Sequence, residues 1–393
     1  MHEELARSRG TDYLHIADEL SEADLEYWRR TRDFVDIEVL PVINDYWERA
    51  EFPHQLVEKI ARLDIVGEGI VGYGCPGMSP MAVGLVNMEL NRGDGSIGTF
   101  LGVQSGLAMN SIAMLGSEEQ KQRWLPPMAR LEKLGAFALT EPNHGSDSVA
   151  LETTARREGE EFVLDGAKRW IGNGSIADVL VVWARTEDGQ VSGFLLEKQT
   201  PGFAAKVITG KGSARAIWQA DITFTGARVP ASNQLPGARR FKDAGRVLAA
   251  TRSAVAWGAL GHAVAAYEIA LRYSRKRVQF GKPLASFQMV QDKLVKMLAE
   301  VTAMQLFCLR IGQLQQAGTM TDTIAALAKM NNTTKARAVI ADARDLLGGN
   351  GILLDYHVMR HMADIESIYT YEGTAHIQTL IVGRDITGVS AFS

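Results

Sequence analysis

The spacing of apolar positions changes twice along this chain, and the two changes divide it into three parts. Up to about residue 135, apolar residues recur mostly every three or four positions, the pattern of helices with one buried face. Ser21-Glu22-Ala23-Asp24 predicts an N-cap followed by an acidic first turn. Ala82 to Leu90 is helical in period, and Leu101 to Leu115 is rich in Ala, Leu and Met. From about 136 to 240 the apolar runs become short. Phe162-Val163-Leu164 is followed by Asp165-Gly166, which predicts a turn. Val179 to Ala184 predicts a buried strand, and Glu187-Asp188-Gly189-Gln190 predicts another turn before Gly193-Phe194-Leu195-Leu196. Turn signals this close together predict a small antiparallel β-domain. From 241 onward the helical period returns. Phe287, Val290, Leu294, Met297, Val301, Met304, Cys308 and Ile311 are spaced by three or four throughout, the stripe of a long bundle helix ended by Gly318. Ala325 to Leu347 carries another, stopped by Gly348-Gly349-Asn350-Gly351. The expected fold is mainly α with a β-domain: an α-helical N-terminal domain (1–135), a middle β-domain (136–240) and a C-terminal α-helical bundle (241–393).

Composition narrows the function classes. A chain of 393 residues is long for one core, which agrees with several packed parts. Hydrophobic residues make up 46% and charged residues 22%, ordinary for a soluble globular enzyme. The net charge of -4 gives no basic field for nucleic acid. No run of about 18 apolar residues predicts a membrane span. Cys75 and Cys308 form no CxxC pair, so neither a disulfide framework nor a zinc site is expected. Met1 to Gly10 is polar, and Ala391-Phe392-Ser393 is unlike a peroxisomal address, so a cytoplasmic protein is expected.

Several motifs have both a dull and a chemical reading. Gly93-Asp94-Gly95-Ser96-Ile97-Gly98 matches GxGxxG, but a dinucleotide turn needs a strand before it, and Val83 to Arg92 reads as helix. Close approach of two helices or a ligand explains those glycines better. His357 and His361 fit one helix face, yet no third ligand is evident, so a hydrogen-bonded or solvated pair is expected and no metal. Leu139-Thr140-Glu141-Pro142-Asn143-His144-Gly145-Ser146-Asp147 is either a plain connector or a loop aiming polar groups at a ligand. Trp170, in Lys168-Arg169-Trp170-Ile171-Gly172-Asn173-Gly174, reads as a core plug or as a wall for a flat ring, in a glycine-rich turn between strands. Arg277, in Arg275 to Leu284, suits a diphosphate through bidentate donors, or is part of a solvated basic turn. Gly348 to Gly351 caps a helix and also leaves flat backbone that admits a nucleotide. Glu372, in Tyr371-Glu372-Gly373-Thr374, is a helix-start carboxylate or a base.

Taken in order, Leu139-Thr140-Glu141-Pro142 with Gly145-Ser146-Asp147, Arg277 with Gln279-Phe280-Gly281, Leu347 to Gly351 and Tyr371 to Thr374 make the chain resemble the acyl-CoA dehydrogenase family over essentially its whole length. The resemblance implies the three-part fold above with a four-helix bundle, in a homotetramer, with FAD between β-domain and bundle. It implies that Phe137, Leu139 and Thr140 line the flavin and that Trp170 and Ile171 flank it. Arg277, Gln279 and Phe280 would hold the FAD of a neighbouring subunit. Gln288, Gly348 and Gly349 match further FAD contacts, as do Thr374 and His376. Ser146 and Arg252 match positions that meet the acyl-CoA, and Tyr371 and Gly373 flank its thioester. Glu372 would be the α-proton base, with hydride passing from the β-carbon to flavin N5 and then on to an electron-transfer flavoprotein.

Two departures bear on specificity. Gly172 stands where most of the family has a Thr or Ser hydroxyl reaching flavin N5. Plant short-chain acyl-CoA oxidases, which use O2, are similar here, including Lys168-Arg169-Trp170-Ile171-Gly172-Asn173. Glutaryl-CoA dehydrogenases resemble Tyr371 to Phe392 strongly, but their Arg for the distal carboxylate falls at Gly98. Burying that carboxylate without a cation would be costly, so a short or medium monocarboxylic acyl chain is expected. Outside the enzyme class, a non-catalytic acyl-CoA-binding protein is the competing reading, and Glu372 argues against it.

Overall fold

A computed structural model describes residues 11–391; the polar N-terminal segment and Phe392-Ser393 lie outside them. Helix α1 (Glu22–Phe34) starts where the sequence predicts, with the Ser21 hydroxyl accepting from the Asp24 N–H at 3.2 Å. Helix α2 (Pro80–Gly93) is capped by Ser79 and runs straight into Asp94. Asp94 in turn caps α3 (Gly95–Leu101), accepting from the Ser96 N–H at 2.7 Å. The GxGxxG stretch is therefore a buried helix-to-helix junction, with no strand before it. Leu101 to Leu115 is not one regular α-helix: Gly102–Met109 is wound as a π-helix. Such turns are rare and often occur at functional sites. Helix α4 (Glu118–Ala129) closes this part with a capping box between Ser117 and Gln120.

The described residues 135–230 form a seven-stranded sheet: β1 (Gly135–Ala138), β2 (Thr154–Glu158), β3 (Glu161–Gly172), β4 (Val179–Thr186), β5 (Val191–Glu197), β6 (Phe203–Val207) and β7 (Gln219–Pro230). The sheet is mixed and not purely antiparallel, because β1 and β2 both pair parallel with β4. Turn signals report only hairpins between sequence neighbours, so these pairings leave no local trace. Asp165-Gly166 is not a turn either. It is a bulge inside β3, with Gly166 at φ 144 and the register against β7 shifting there. A side chain on Gly166 would meet Thr153, which explains the glycine. Trp170 likewise lies within β3, at a second register shift, and not in an inter-strand turn.

Helix α5 (Phe241–Lys276) is the axis of the bundle and packs against α2, α6 (Gln288–Gln316), α7 (Asp322–Leu346) and α8 (Val358–Thr370). It is long and apolar enough to cross a bilayer, but 83% of its most apolar window is buried by those helices. The predicted stripe of α6 is buried from Leu294 through Ile311. Between α5 and α6 a hairpin, Val278-Gln279 against Lys282-Pro283, turns through Phe280 (φ 52) and Gly281 (φ 77). His357 and His361 are each hydrogen-bonded, but not to one another. His357 meets Asn44 and Arg360, and His361 meets His262 of α5 at 2.7 Å between Nδ1 atoms. The last helix, α9 (Ala375–Thr387), begins at Thr374.

Candidate active site

The N-cap of α9 is Thr374, whose hydroxyl oxygen accepts from the Ile377 N–H at 3.2 Å. Glu372 therefore sits outside the helix and does not serve as its cap. Its backbone is left-handed, φ 52, and is followed by Gly373 at φ 85. A non-glycine residue there costs on the order of 1–3 kcal/mol and persists only where its surroundings hold it. Those surroundings are specific. Gln378 Nε2 donates to the carbonyls of Glu372 (3.1 Å) and Gly373 (3.0 Å). Lys329 of α7 donates to the Gly373 carbonyl at 2.5 Å and also to that of Tyr371. The Glu372 N–H has no acceptor among the described residues.

The Glu372 side chain faces α5. Thr251 Oγ1 donates to Glu372 Oε2 at 3.0 Å. Burial pushes the Glu372 carboxyl above its ordinary range, and Lys329, the Thr251 bond and Arg252 pull back in part. Lys329 is itself pushed down to about 8 by burial. The two groups stand as a desolvated pair whose carboxylate is a stronger base than one in water. Lys329→Met should therefore slow the reaction and also move the acid limb of its pH–rate profile upward. The base must be ionised to act, and loss of the cation raises its pKa further. A slower variant with an unmoved limb would make Lys329 a scaffold for the loop only.

The π-helix links this pocket to the β-domain. At one end, a Cβ on Gly172 of β3 would lie 2.8 Å from Val103 Cγ2; further along, one on Gly106 would lie 3.2 Å from Thr251 Cγ2. Val103 fills the space beside Gly172, so a Thr or Ser there needs Val103 to move. On the sheet side Phe137 and Leu139 are buried, and the Thr140 carbonyl accepts from the Arg169 N–H at 2.8 Å. Trp170 is 53% exposed at φ 64, with the Arg169 guanidinium 5.1 Å from its ring centroid. It is no core plug, and an exposed flat ring suits a flat ligand. The Ile171 side chain is in the sheet core, so it does not itself reach the surface beside Trp170. Glu141 organises the loop that follows β1: it accepts from Lys168 Nζ (2.8 Å) and from the N–H groups of Glu152 (2.6 Å) and Thr153 (2.9 Å). Ser146 lies exposed in that loop. Tyr371 and Gly373 flank the base, and Arg252 Nε is buried without a partner among the described residues.

The remaining candidates lie elsewhere. Arg277, Gln279, Phe280, Gln288, Gly348 and Gly349 are exposed, as is His376 on the first turn of α9. Arg252 and Lys276 are on the same helix and, at 1.5 Å per residue, stand about 36 Å apart. Lys329 and Leu346, the last residue of α7 before Gly348, are separated by about 26 Å in the same way. The candidate residues of one chain thus fall into two separate groups. In the second group a Cβ on Gly348 or Gly349 would meet nothing within 4 Å, and Phe280 is 94% exposed, an aromatic surface that a partner or ligand would cover. Trp170 beside Gly172 could hold a flat ring, and the exposed Arg277 hairpin could meet a diphosphate.

Sequence reasoning missed Thr251, Lys329 and Glu68. Only Lys329 left a signal: it falls on the stripe Ala325, Ala328, Asn332, Ala336 that α7 buries.

Sequence models of acyl-CoA dehydrogenase domains match the chain in three consecutive pieces: the N-terminal domain over 21–132, the middle domain over 136–227 and the C-terminal domain over 241–387. The short-chain specific acyl-CoA dehydrogenase of Bos taurus mitochondria is 34% identical over 374 residues, covering 93% of this chain and 90% of that protein. Among solved structures, a glutaryl-CoA dehydrogenase from Mycobacterium smegmatis superposes with a TM-score of 0.96 at 41% identity, covering 98% of this chain and 99% of that one. A second glutaryl-CoA dehydrogenase from Mycobacterium smegmatis, in complex with FADH2, gives a TM-score of 0.94 at 38% identity over 95% of this chain and 97% of its own.

Proposed function

The chain belongs to the acyl-CoA dehydrogenase family, and from that premise we propose that it converts a short- or medium-chain monocarboxylic acyl-CoA into its trans-2-enoyl-CoA, with Glu372 as the base. It is an FAD-dependent oxidoreductase acting on CH–CH groups. The observation that carries the reading is the setting of Glu372: a carboxylate with a raised pKa, fixed at a strained backbone and bonded by Thr251.

A thioester α-C–H is a weak acid, so its removal needs a positioned base and donors on the oxygen that gains charge. Glu372 takes the α-proton. Its own N–H, free of any acceptor among the described residues, supports the thioester oxygen. Lys329 and Gln378 keep that N–H and the carboxylate in register by holding the carbonyls on either side. Bound FAD supplies the acceptor for the β-hydride. Arg277, Gln279, Phe280, Gln288, Gly348 and Gly349 would hold the FAD of a neighbouring subunit, since they lie too far along their helices to reach this chain's own pocket. That arrangement favours a homotetramer. An electron-transfer flavoprotein is the proposed acceptor of the electrons.

Glutaryl-CoA is disfavoured although two of the similar structures carry that name. Gly98 has no cation, and the Asn91 side chain lies flat against it, which leaves no room for one. Arg252 and Lys329 both act on Glu372. Gly172 favours a second reading, an oxidase, because the hydroxyl expected near the flavin is missing there.

Anaerobic titration of the holoenzyme with acyl-CoAs of graded length tests the proposal. Butyryl-CoA should bleach the flavin, and glutaryl-CoA should do so at least about tenfold less efficiently. Equal reduction by glutaryl-CoA would remove the argument from Gly98. Stoichiometric peroxide in air would replace the dehydrogenase with the oxidase.

A further inference from the structure

A second carboxyl group, unused by the chemistry above, stands beside the base. Glu68 lies between two glycines in Val66-Gly67-Glu68-Gly69-Ile70, at φ 46, and is only 7% exposed. Its N–H donates to the Ile65 carbonyl (3.3 Å) and its carbonyl accepts from the Met78 N–H (3.0 Å), so the backbone is fixed and the side chain is directed inward. Asn87 Nδ2 donates to Glu68 Oε1 at 3.3 Å. The other oxygen is near the π-helix: a Cβ on Gly106 would lie 3.8 Å from Glu68 Oε2 and 3.2 Å from Thr251 Cγ2. Thr251 is the residue bonded to Glu372, so Glu68 and the base stand near the same threonine. Burial pushes the Glu68 carboxyl up to about 7, Asn87 opposes this, and the Glu372 charge adds to it.

One turn further along α2, Asn91 Nδ2 donates to the Asn87 carbonyl at 2.8 Å, and its amide packs against Gly98 and Gly258. Asn91 Oδ1 is buried without a partner among the described residues. Glu68 Oε2 has no hydrogen bond to any described residue, and the ionised carboxyl is an acceptor that a nearby cation would favour. An alkyl chain leaves Glu68 Oε2 unsatisfied, which is costly in a buried site. A carboxylate would meet repulsion. A group with N–H donors and a positive charge answers the Glu68 carboxylate, and a guanidinium or an ammonium supplies both.

We propose that Glu68, with Asn91 behind it, is the specificity-determining residue of the acyl pocket, and that it selects an acyl-CoA whose chain ends in a protonated nitrogen group, guanidinium or ammonium. This rests on the acyl-CoA reaction proposed above and names its substrate class. The probes are 4-guanidinobutyryl-CoA and 6-methylheptanoyl-CoA, which share shape and differ in charge and donors. In the holoenzyme the guanidino substrate should reduce the flavin with a kcat/KM at least about tenfold above its isostere, and Glu68→Gln should erase most of that ratio. Calorimetry on the FAD-loaded Glu372→Gln protein, which keeps Glu68, gives the same comparison without turnover and without relying on a Glu68 variant. There the guanidino ligand should bind at least about tenfold more tightly than the isostere. Equal or tighter binding of the isostere, or a preference that survives Glu68→Gln, would overturn the inference. If butyryl-CoA still reduces the flavin, the reaction stands and only the role of Glu68 falls. If no acyl-CoA reduces it, the reaction falls and this inference with it.

Discussion

Glu372→Gln should keep FAD and acyl-CoA bound while flavin reduction by substrate falls by about 100- to 10,000-fold or more, the range that general-base groups contribute. The substitution keeps the shape of the side chain. It also keeps an oxygen for the Thr251 hydroxyl and leaves the carbonyls held by Lys329 and Gln378 untouched. What it removes is the one group placed to accept the α-proton. Binding should even improve slightly for uncharged chains, because a buried carboxyl with a raised pKa is an unfavourable neighbour for apolar ligand. The comparison is a rapid-mixing measurement of flavin bleaching beside a binding titration, on the same protein preparation. Near-normal reduction with intact binding would assign the base elsewhere, and Glu68 would be the first residue to examine.

Arg360→Met is expected to cost about 3–5 kcal/mol of stability, the penalty for breaking a buried ion pair by removing one partner. Arg360 and Asp94 are both fully buried and bonded to each other. The guanidinium also donates to the Gly93 carbonyl and to Asn44 Oδ1, each at 3.0 Å. It therefore ties α8 to the junction of α2 and α3 and to the N-terminal helices at once. Without it the Asp94 carboxylate is left in the interior, near Asp364, whose own carboxyl burial and Asp94 already push up to about 7. Met fills much of the volume but answers none of those acceptors. Urea denaturation followed by tertiary signal measures the loss. Arg360→Met combined with Asp94→Asn should recover part of it, since the stranded charge is then gone. A single variant within about 1 kcal/mol of the parent would show that water reaches Asp94 and that the pair is not sealed.

What the sequence disclosed follows the range over which its signals act. Caps and stripes are local, so Ser21 and the buried positions of α6 could be read directly. The parallel pairing of β1 and β2 with β4 is non-local and left no pattern. Asp165-Gly166 shows how a correct local signal misleads: the glycine does adopt φ 144, but to bulge a strand past Thr153 and not to reverse it. In the pocket, Glu372 was legible because a motif surrounds it. Thr251, Lys329 and Glu68 were not, because each acts through a contact with a residue far away in the chain. Asp94, part of a misleading glycine motif, became intelligible only when Arg360 was seen against it.

The left-handed backbone at Glu372 also has a consequence for how this protein can change over time. Glycine or asparagine would sit there with less strain, and neither would bury a carboxyl group beside a second one. Folding alone therefore favours losing the residue on which the reaction depends. A lineage, or a laboratory selection, rewarded only for heat resistance would be expected to discard this glutamate early and keep the rest of the pocket intact. The survivors would be robust flavoproteins that still hold their ligand and no longer turn it over.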